Sequence, residues 1–253
     1  MVILKELLKV FKQLFRNLKA EGLKFNVKPY GENAVFLEFG QLISKDTHLE
    51  IKFLYRELRK HAKIGVVAVI PSYCGLTILF EPKKLSKYEL IELCQSIQTN
   101  FSSQTYSSYR VVIPVCYADR FALDKVDLMK HTCLSWEEIV EIHCQTKYLV
   151  YMLGFVPGFF YLGGMDERIA IPRKETPRLK VPKGAVAIGD KQTGVYPAEI
   201  SGGWQIIGKT PVNFISDQAE NQIEMGDTIV FEPISIDEYD NYTGRIKREI
   251  FEH

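Results

Sequence analysis

The residues best suited to binding an anion lie in one short basic stretch. Within eleven residues the chain carries five cationic side chains: Arg173, Lys174, Arg178, Lys180 and Lys183. Glu175 is the only opposing carboxylate, and Pro172, Pro177 and Pro182 stiffen the backbone because proline fixes φ. A rigid basic loop suits a carboxylate or a phosphate, which arginine grips with two hydrogen bonds. The alternative is a solvated surface loop, which charge alone favours.

A run of glycines and aromatic residues precedes the basic stretch. Residues Gly154–Gly164 read GFVPGFFYLGG and hold four glycines, one proline and four aromatic side chains. Glycine permits close backbone approach, and aromatic faces can wall an apolar pocket. The run predicts a substrate-binding loop with four candidate contacts: Phe155, Pro157, Phe159 and Tyr161. The alternative is a tight turn whose rings fill a core.

A third segment offers groups that could orient a small polar ligand. Gln192, Thr193 and Tyr196 supply an amide, a hydroxyl and a phenol close together in the chain. We therefore include these three residues among the candidate substrate contacts. Ordinary turn chemistry is the competing explanation.

His143 is a candidate acid–base group. It follows Trp136 and Val140 at helical spacing, so it lies on the apolar face of its helix. A titrating role is one interpretation, and a packed, hydrogen-bonded core histidine is the other. Together with Arg173 and Arg178 it completes the set of candidate catalytic residues, and the sequence indicates no metal site.

One pattern match is predicted to be incidental. Residues 203–210 read GWQIIGKT and fit the phosphate-loop pattern G-x-x-x-x-G-K-[ST]. A true phosphate loop joins a buried strand to a helix. Here the interior residues are themselves strand-like, and Pro211 disfavours a helix starting at Thr210.

The first 23 residues form a separate extension in our interpretation. Apolar residues recur there at helical spacing: Leu4, Leu7, Leu8, Phe11, Phe15 and Leu18. Cations recur on another face: Lys5, Lys9, Lys12, Arg16 and Lys19. The pattern predicts a basic amphipathic helix. It suits a membrane surface or a partner, or packing on its own domain.

Residues 24–116 are predicted to form a small α+β sandwich of ferredoxin-like type. The expected strands are Phe25–Lys28, Ala34–Phe39, Gly65–Ile70, Leu76–Phe80 and Arg110–Val115. The expected helices are Ser44–Ala62 and Ser86–Asn100, the second with a capping box formed by Ser86 and Glu89. The order ββαββαβ is typical of such a domain.

Residues 117–253 are predicted to form a mainly-β domain with two leading helices. The helices are Lys125–His131 and Ser135–Thr146, and Ser135 and Glu138 form a second capping box. Five short strands follow: Val150–Phe155, Ala185–Gly189, Trp204–Ile207, Val212–Ile215 and Thr228–Phe231. Short strands separated by turns indicate a barrel or a sandwich.

Composition excludes several classes of protein. The 253 residues carry 32 basic and 31 acidic side chains, a net charge of +1, without the basic excess of a nucleic-acid binder. No apolar run approaches the roughly 20 residues that span a bilayer. The five cysteines include no Cys-x-x-Cys pair, so no zinc or dithiol site is indicated. A cytoplasmic protein with reduced thiols is expected.

Several motifs together resemble the allophanate hydrolase subunit 1 family. They are GFVPGFFYLGG at 154–164, IPRKETPRLKVP at 171–182, GAVAI at 184–188, QTGVYP at 192–197 and GGWQIIGKTP at 202–211. Weaker matches are YGENA at 30–34 and IPVCY at 113–117, so the resemblance covers about residues 25–234. This family includes the kinase inhibitor KipI and the 5-oxoprolinase component PxpB.

The resemblance implies a cyclophilin-like β-barrel as the second domain. It implies a complex with a subunit 2 homologue of the PxpC or KipA type and a PxpA-like subunit, which opens 5-oxoproline to glutamate with ATP. ATP is then a cofactor of the complex, and none is expected on this chain alone. Two alternatives stay open: a KipI-like inhibitor of a sensor histidine kinase, and half of a urea-carboxylase-type carboxyltransferase.

Overall fold

The computed structural model describes residues 24–101, 108–215, 222–243 and 246–251. The predicted helix within residues 1–23 lies outside these described residues. The chain divides into two compact units, Met1–Ser102 and Ser103–His253. Both units combine helices with sheet, so the protein has a mixed α/β fold in which sheet predominates.

In its described part, residues 24–101, the first unit contains a four-stranded antiparallel sheet and two α-helices. Its strands are β1 (Asn26–Pro29), β2 (Ala34–Glu38), β3 (Val66–Ser72) and β4 (Gly75–Phe80), in the order β1-β2-β4-β3. Its helices are α1 (Lys45–Arg59) and α2 (Lys87–Thr99). Strand alternation buries Leu37, Leu76 and Ile78 completely on one face. Ile51 and Leu58 of α1 are equally buried, so these elements form as the sequence predicted.

The second unit contains ten strands and three helices among the described residues. The helices are α3 (Lys125–Thr132), α4 (Trp136–Gln145) and α5 (Ile236–Asp240). The strands are β5 (Ser108–Val115), β6 (Tyr148–Leu153), β7 (Phe160–Gly163), β8 (Arg178–Val181), β9 (Ala185–Gly189), β10 (Gln192–Val195), β11 (Ile200–Gly202), β12 (Gln205–Lys209), β13 (Thr228–Pro233) and β14 (Lys247–Phe251). Eight strands form one sheet in the order β12-β9-β10-β7-β6-β13-β5-β14, and β8 pairs with β11.

Both predicted capping boxes are present. Ser86 accepts a hydrogen bond from the amide of Glu89 at the start of α2, and the Glu89 carboxylate accepts one from the Ser86 amide. Ser135 and Glu138 form the same pair at the start of α4. Each box satisfies amides that the first helical turn leaves without partners, so the sequence located both helix starts.

The domain boundary differs from the sequence-based one. The strand predicted at Arg110–Val115 exists as β5, but it belongs to the second unit. It pairs in parallel with β13 and antiparallel with β14, more than a hundred residues further along the chain. Because β5 pairs with these two strands, the division falls at residue 102 and not at 116. A strand's own residues do not specify so distant a partner, so the sequence alone did not show this.

The eight-stranded sheet is not a closed barrel in the part of the chain that the structure describes. Its order ends at β12 and at β14, without a ladder between them. An isolated bridge joins Cys116, just after β5, to Lys209 of β12, with amide-to-carbonyl distances of 2.9 and 3.0 Å. The sheet therefore curves until one residue pair meets, and the barrel implied by the resemblance is not confirmed.

The strand predicted at Val212–Ile215 is wrong. The amide of Val212 donates to the hydroxyl of Thr210, and the amide of Ile215 donates to the side chain of Asn213. Local side-chain acceptors thus replace the neighbouring strand that a ladder needs. Val212 is nevertheless buried, as its apolar character suggested.

The phosphate-loop match is incidental, as predicted. Residues Gln205–Lys209 form strand β12, and the described residues directly after it, 210–215, form no helix. The ammonium group of Lys209 lies 5.6 Å from the centre of the Phe121 ring. A strand does not gather its amides around a phosphate, so this segment lacks the geometry that the pattern requires.

Glycines in β9 and β10 make room for the indole of Trp204. A methyl group added at Gly189 would lie 2.6 Å from the indole nitrogen, and one at Gly194 would lie 3.1 Å from the ring. The ring cannot move easily, because it packs within a buried cluster that includes Phe159 and Tyr196. The close approach of Trp204 to the sheet therefore depends on glycine at these positions.

We expect Gly189→Ala to destabilise the protein by about 1–3 kcal/mol, the usual penalty for overpacking a core. Urea denaturation followed by circular dichroism measures the change in the free energy of unfolding. Gly154→Ala is the matched control, because a methyl group there would meet no atom within 4 Å. Equal stability of the two variants would contradict the proposed packing of Trp204.

Candidate functional site

The aromatic residues of the second unit pack against one another edge to face. Phe159 lies 5.7 Å from Tyr196, 5.8 Å from Trp204 and 4.9 Å from Tyr161, measured between ring centres. Phe159, Tyr196 and Trp204 are buried. Edge-to-face contacts at these distances add to the stability that burial gives. Phe159, predicted to wall a pocket, and Tyr196, predicted to orient a polar ligand, therefore both form part of a solid cluster.

The glycine-rich loop turns Phe155 outward. The amide of Gly154 donates to the carbonyl of Phe159 at 3.2 Å, and Phe155 adopts the left-handed backbone region with φ of 73°. Its side chain is 62% exposed, while its ring centre stays 5.6 Å from that of Phe159. Pro157 is also exposed. A non-glycine residue in this conformation is uncommon, so the turn itself presents the aromatic ring.

Arg173 projects over the aromatic cluster. Its guanidinium carbon lies 5.7 Å from the centre of the Trp204 ring, within the range of a cation–π contact. Its Nε donates to Asp190 at 2.9 Å, and both partners of this ion pair are more than half exposed. Burial raises the pKa of Tyr161, and the nearby positive charge of Arg173 partly opposes that rise. The guanidinium is thus accessible and lies close to Tyr161.

A cavity of about 750 Å³ opens beside Arg173. Its lining residues are Asp127, Lys130, His131, Ile171, Pro172, Arg173, Lys174, Glu175, Thr176 and Gln205. The cations among them come from both the basic stretch and the last turn of α3. Sequence reasoning missed Lys130 and His131, although basic residues in a last helical turn are a recognisable feature. The cavity is large enough for a small anionic molecule.

Lys174 and Arg178 are held by a carboxylate that sequence reasoning missed. Asp124 is only 2% exposed, and its Oδ1 accepts from Lys174 at 2.8 Å and from Arg178 at 2.6 Å. Its Oδ2 accepts from the amide of Ile206 at 2.6 Å. Burial alone would raise the pKa of Asp124, but these hydrogen bonds outweigh it and hold the pKa below its ordinary value. No local pattern links Asp124 to cations some fifty residues away.

Further hydrogen bonds tie the basic stretch to β12. The amide of Lys174 donates to the carbonyl of Gly203 at 2.7 Å. The side chain of Gln205 donates to the carbonyl of Pro172 at 3.1 Å and accepts from Lys174 at 3.2 Å. The stretch is therefore anchored on both sides of Arg173 and is not a freely solvated loop.

His143 is fully buried between two hydroxyl groups. Its Nδ1 lies 2.8 Å from the Tyr117 hydroxyl, and its Nε2 lies 2.9 Å from the Thr193 hydroxyl. Thr193 donates to the carbonyl of Ala187, so Nε2 carries the proton and donates to Thr193, while Nδ1 accepts from Tyr117. Burial lowers the pKa of His143 to about 3. The imidazole is neutral near pH 7 and has no access to solvent.

Strand alternation separates the candidate residues on β10 and directly after it. Thr193 points toward His143, whereas Gly194 faces Trp204 and Phe159. Successive side chains of a strand lie on opposite faces. The two groups of candidates therefore do not meet at one ligand: Thr193 belongs to the interior with His143, and the ring of Tyr196 belongs to the aromatic cluster. Gln192 is partly buried at the start of the strand.

The described ranges hold neither a metal cluster nor a membrane-spanning helix. Within residues 24–101, 108–215, 222–243 and 246–251, no cluster of three or more His, Cys, Asp or Glu side chains could hold a metal ion. Within the same ranges no helix has the length and apolar character to cross a membrane.

Comparison with known proteins connects this geometry to a family. Residues 25–225 match the family model described as carboxyltransferase domain, subdomain C and D. The 5-oxoprolinase B subunit of Bacillus subtilis is 35% identical over 238 residues, which cover 87% of this chain and 97% of that protein. The 5-oxoprolinase B subunit of Escherichia coli O157:H7 is 34% identical over 80% of this chain and 93% of that protein.

Two solved structures also resemble this chain. The crystal structure of the protein TTHA0988 superposes with a TM-score of 0.72 and 28% identity, over 80% of this chain and 40% of that one. The urea amidolyase of Kluyveromyces lactis shares the fold, with a TM-score of 0.73 at 18% identity over 90% of this chain and 16% of that one. The chain therefore belongs to the allophanate hydrolase subunit 1 family that its motifs predicted, whose domain model is the carboxyltransferase domain, subdomain C and D.

Proposed function

We propose that this chain is the PxpB-type component of an ATP-dependent 5-oxoprolinase complex that converts 5-oxoproline to glutamate. Its partners would be a PxpC- or KipA-like subunit 2 homologue and a PxpA-like subunit, in the cytoplasm, where ATP is available. The names of the relatives support this proposal. The structural observation that carries it is the accessible Arg173 guanidinium, supported by Trp204 and bordering a cavity that Lys130 and Lys174 also line.

The chemistry of 5-oxoproline suits this arrangement. The molecule is a five-membered lactam that carries one carboxylate, which arginine binds through two hydrogen bonds. In the free chain the carboxylate of Asp190 pairs with the guanidinium of Arg173, but an exposed ion pair contributes only about 0–1 kcal/mol to stability. A substrate carboxylate can therefore replace Asp190 at little energetic cost. Lys130 and His131 line the same cavity and add hydrogen-bond donors around it.

Ring opening requires activation, because a lactam resists attack by water. Phosphoryl transfer from ATP to the lactam oxygen would make the ring carbon electrophilic. A first water would then attack that carbon, and the carbon–nitrogen bond would break with a proton passing to nitrogen, which leaves an acyl phosphate of glutamate. A second water would hydrolyse this acyl phosphate to glutamate and free phosphate. Donors near the developing oxyanion stabilise such a step. We propose that this chain supplies the carboxylate-binding part of the site and that ATP belongs to the complex.

The roles of the other candidates follow from their contacts. We propose that Arg178 stabilises the basic stretch through Asp124, since its guanidinium is already bound to that buried carboxylate. We assign His143 to fixing Thr193 and β10, because a buried neutral imidazole is poorly placed to exchange protons. Phe159 and Tyr196 support Trp204, while Phe155 and Tyr161 stay available at the edge of the cluster. Pro157 shapes the loop that presents Phe155.

A binding function is the second candidate. Exposed large apolar side chains of the second unit include Phe155, Leu179 at 89% and Ile215 at 46%. Such side chains suit a protein partner, as a KipI-like inhibitor of a histidine kinase would need. The carboxyltransferase alternative has weaker support, because the urea amidolyase of Saccharomyces cerevisiae is only 22% identical and this chain covers 14% of it. A 5-oxoproline assay with all three subunits distinguishes the first candidate from both others.

Substitution of Arg173 should impair the reconstituted complex without unfolding the chain. Loss of one charge-assisted contact costs about 1.5–3 kcal/mol, or roughly one to two decades in kcat/KM. We expect this loss for Arg173→Ala, and a smaller loss for Arg173→Lys because lysine lacks the two-point grip. Steady-state kinetics at varied 5-oxoproline concentration measure both.

Lys191→Ala serves as the control for Arg173. Lys191 is an exposed cation next to Asp190, paired with Glu167 and absent from the cavity lining. Its kcat/KM should stay within about twofold of wild type, as surface charges contribute little. Gel filtration verifies assembly of each variant. Wild-type kinetics for an assembled Arg173→Ala complex would refute the proposed carboxylate contact.

The buried imidazole should make the protein less stable in acid. The pKa of His143 falls from an ordinary 6.5 to about 3 on folding, so the unfolded chain binds this proton first as the pH drops. Stability from this group is complete above the unfolded pKa and is lost as the pH falls toward the folded one. The slope should approach about 1.4 kcal/mol per pH unit below about pH 6.

His143→Gln removes this titration and retains a side chain that can hydrogen-bond. Urea denaturation of both proteins between pH 7 and pH 4 gives the two stability curves. The wild-type curve should fall more steeply, and the difference isolates His143 from the carboxylates common to both. Parallel curves would show that the imidazole titrates normally in the folded chain.

A further inference from the structure

We infer that Asp124 is a positioning residue for the anion site: by holding Lys174 and Arg178 it fixes the basic stretch so that Arg173 lies over Trp204. This inference rests on the proposed function for its meaning in the reaction. The placement of Arg173 can be tested without that function. Four features of the described residues carry the argument.

The first feature is the way the carboxylate is oriented. The backbone amide of Asp124 donates to the carbonyl of Ile206 at 3.0 Å, and Oδ2 accepts from the amide of Ile206 at 2.6 Å. These two hydrogen bonds to Ile206 of β12 fix the direction in which the side chain of Asp124 points. The backbone of Asp124 also begins α3, so the residue that carries the carboxylate joins a helix to a strand.

The second feature is that the two carboxylate oxygens of Asp124 accept hydrogen bonds from different partners. Oδ2 is used by the backbone of β12, whereas Oδ1 accepts from both Lys174 and Arg178. The two cations are about a quarter exposed, and the carboxylate is 2% exposed. Long cationic side chains lose much rotamer freedom when their heads are held. Their backbones are thereby held close to α3 and β12.

The third feature is the opposite direction of neighbouring side chains. Lys174 points toward Asp124 and Gln205, whereas Arg173 points toward Trp204 and Asp190. When the ammonium group of Lys174 is fixed at Asp124, the side chain of Arg173 is directed to the opposite side of the basic stretch, toward Trp204. Asp124 thus acts on Arg173 through Lys174 and does not touch the proposed substrate.

The fourth feature is charge. A single buried carboxylate pairs with two cations, and Asp127 adds only an exposed contact to Lys174 at 3.3 Å. Buried ion pairs seldom stabilise a fold more than apolar residues of similar size would. A buried group that serves a fixed geometry explains this arrangement better than one that serves stability alone. Removal of its charge should free both cationic heads.

The indole of Trp204 offers a direct readout. The chain has two tryptophans, so a Trp136→Phe background leaves Trp204 as the single indole signal in a proton–nitrogen correlation spectrum. Arg173→Ala defines the signal position without a guanidinium over the ring. We expect Asp124→Asn to move the signal toward that position. Asp127→Asn is the matched control, since it removes an exposed carboxylate from the same lysine, and its signal should stay at the wild-type position.

Lys174→Met provides a second variant in case Asp124→Asn does not fold. It keeps both bonds between Asp124 and Ile206 and releases the basic stretch, so it should shift the Trp204 signal in the same direction. Thermal unfolding verifies that each variant is folded. In the assembled complex, Asp124→Asn should raise KM for 5-oxoproline by about tenfold, as losses of supporting contacts commonly do, with a smaller effect on kcat.

The outcomes separate the two proposals. An unchanged Trp204 signal in folded Asp124→Asn and Lys174→Met proteins overturns the positioning role, whatever the kinetics. A shifted signal together with a raised KM supports it. A shifted signal with wild-type kinetics for all variants, Arg173→Ala included, supports the positioning role and refutes the proposed substrate contact instead.

Discussion

The hydrogen bonds of the buried Asp124 carboxylate are the interactions on which the proposed site around Arg173 and Trp204 depends. A charged group loses much hydration energy when it is buried, so it persists only where strong donors replace water. Asp124 has three such donors, two cationic heads and one backbone amide. They come from the basic stretch and β12, and Asp124 itself begins α3. One anion therefore joins three elements of the second unit.

The aromatic cluster supports the same face from the other side. Trp204 reaches the sheet because Gly189 and Gly194 leave space for its indole, and the rings of Phe159 and Tyr196 hold it there. Arg173 lies on the accessible side of this assembly. A cation above a rigid ring keeps its direction, and its exposed ion pair with Asp190 can be exchanged for another carboxylate at little cost, as the proposed substrate contact requires.

The alternation of β10 explains why the candidate residues divide into two groups. Thr193 joins the network of His143 and Tyr117 in the interior, where every polar atom needs a partner because water is excluded. Gly194, its neighbour, faces the aromatic cluster. One group maintains the sheet, and the other lies at the proposed binding surface. The proposed role in a 5-oxoprolinase complex concerns the second group.

The sequence by itself determined local structure and family. Capping residues such as Ser86 and Ser135 located helix starts, because a cap acts within three residues. Short apolar runs separated by turn residues located most strands, and the motifs identified the family. Tertiary structure alone decided the partners of β5, the failure of the sheet to close, and the pairing of Asp124 with Lys174 and Arg178. Each of these depends on contacts between residues fifty or more positions apart, and short-range patterns carry no record of which distant groups will meet.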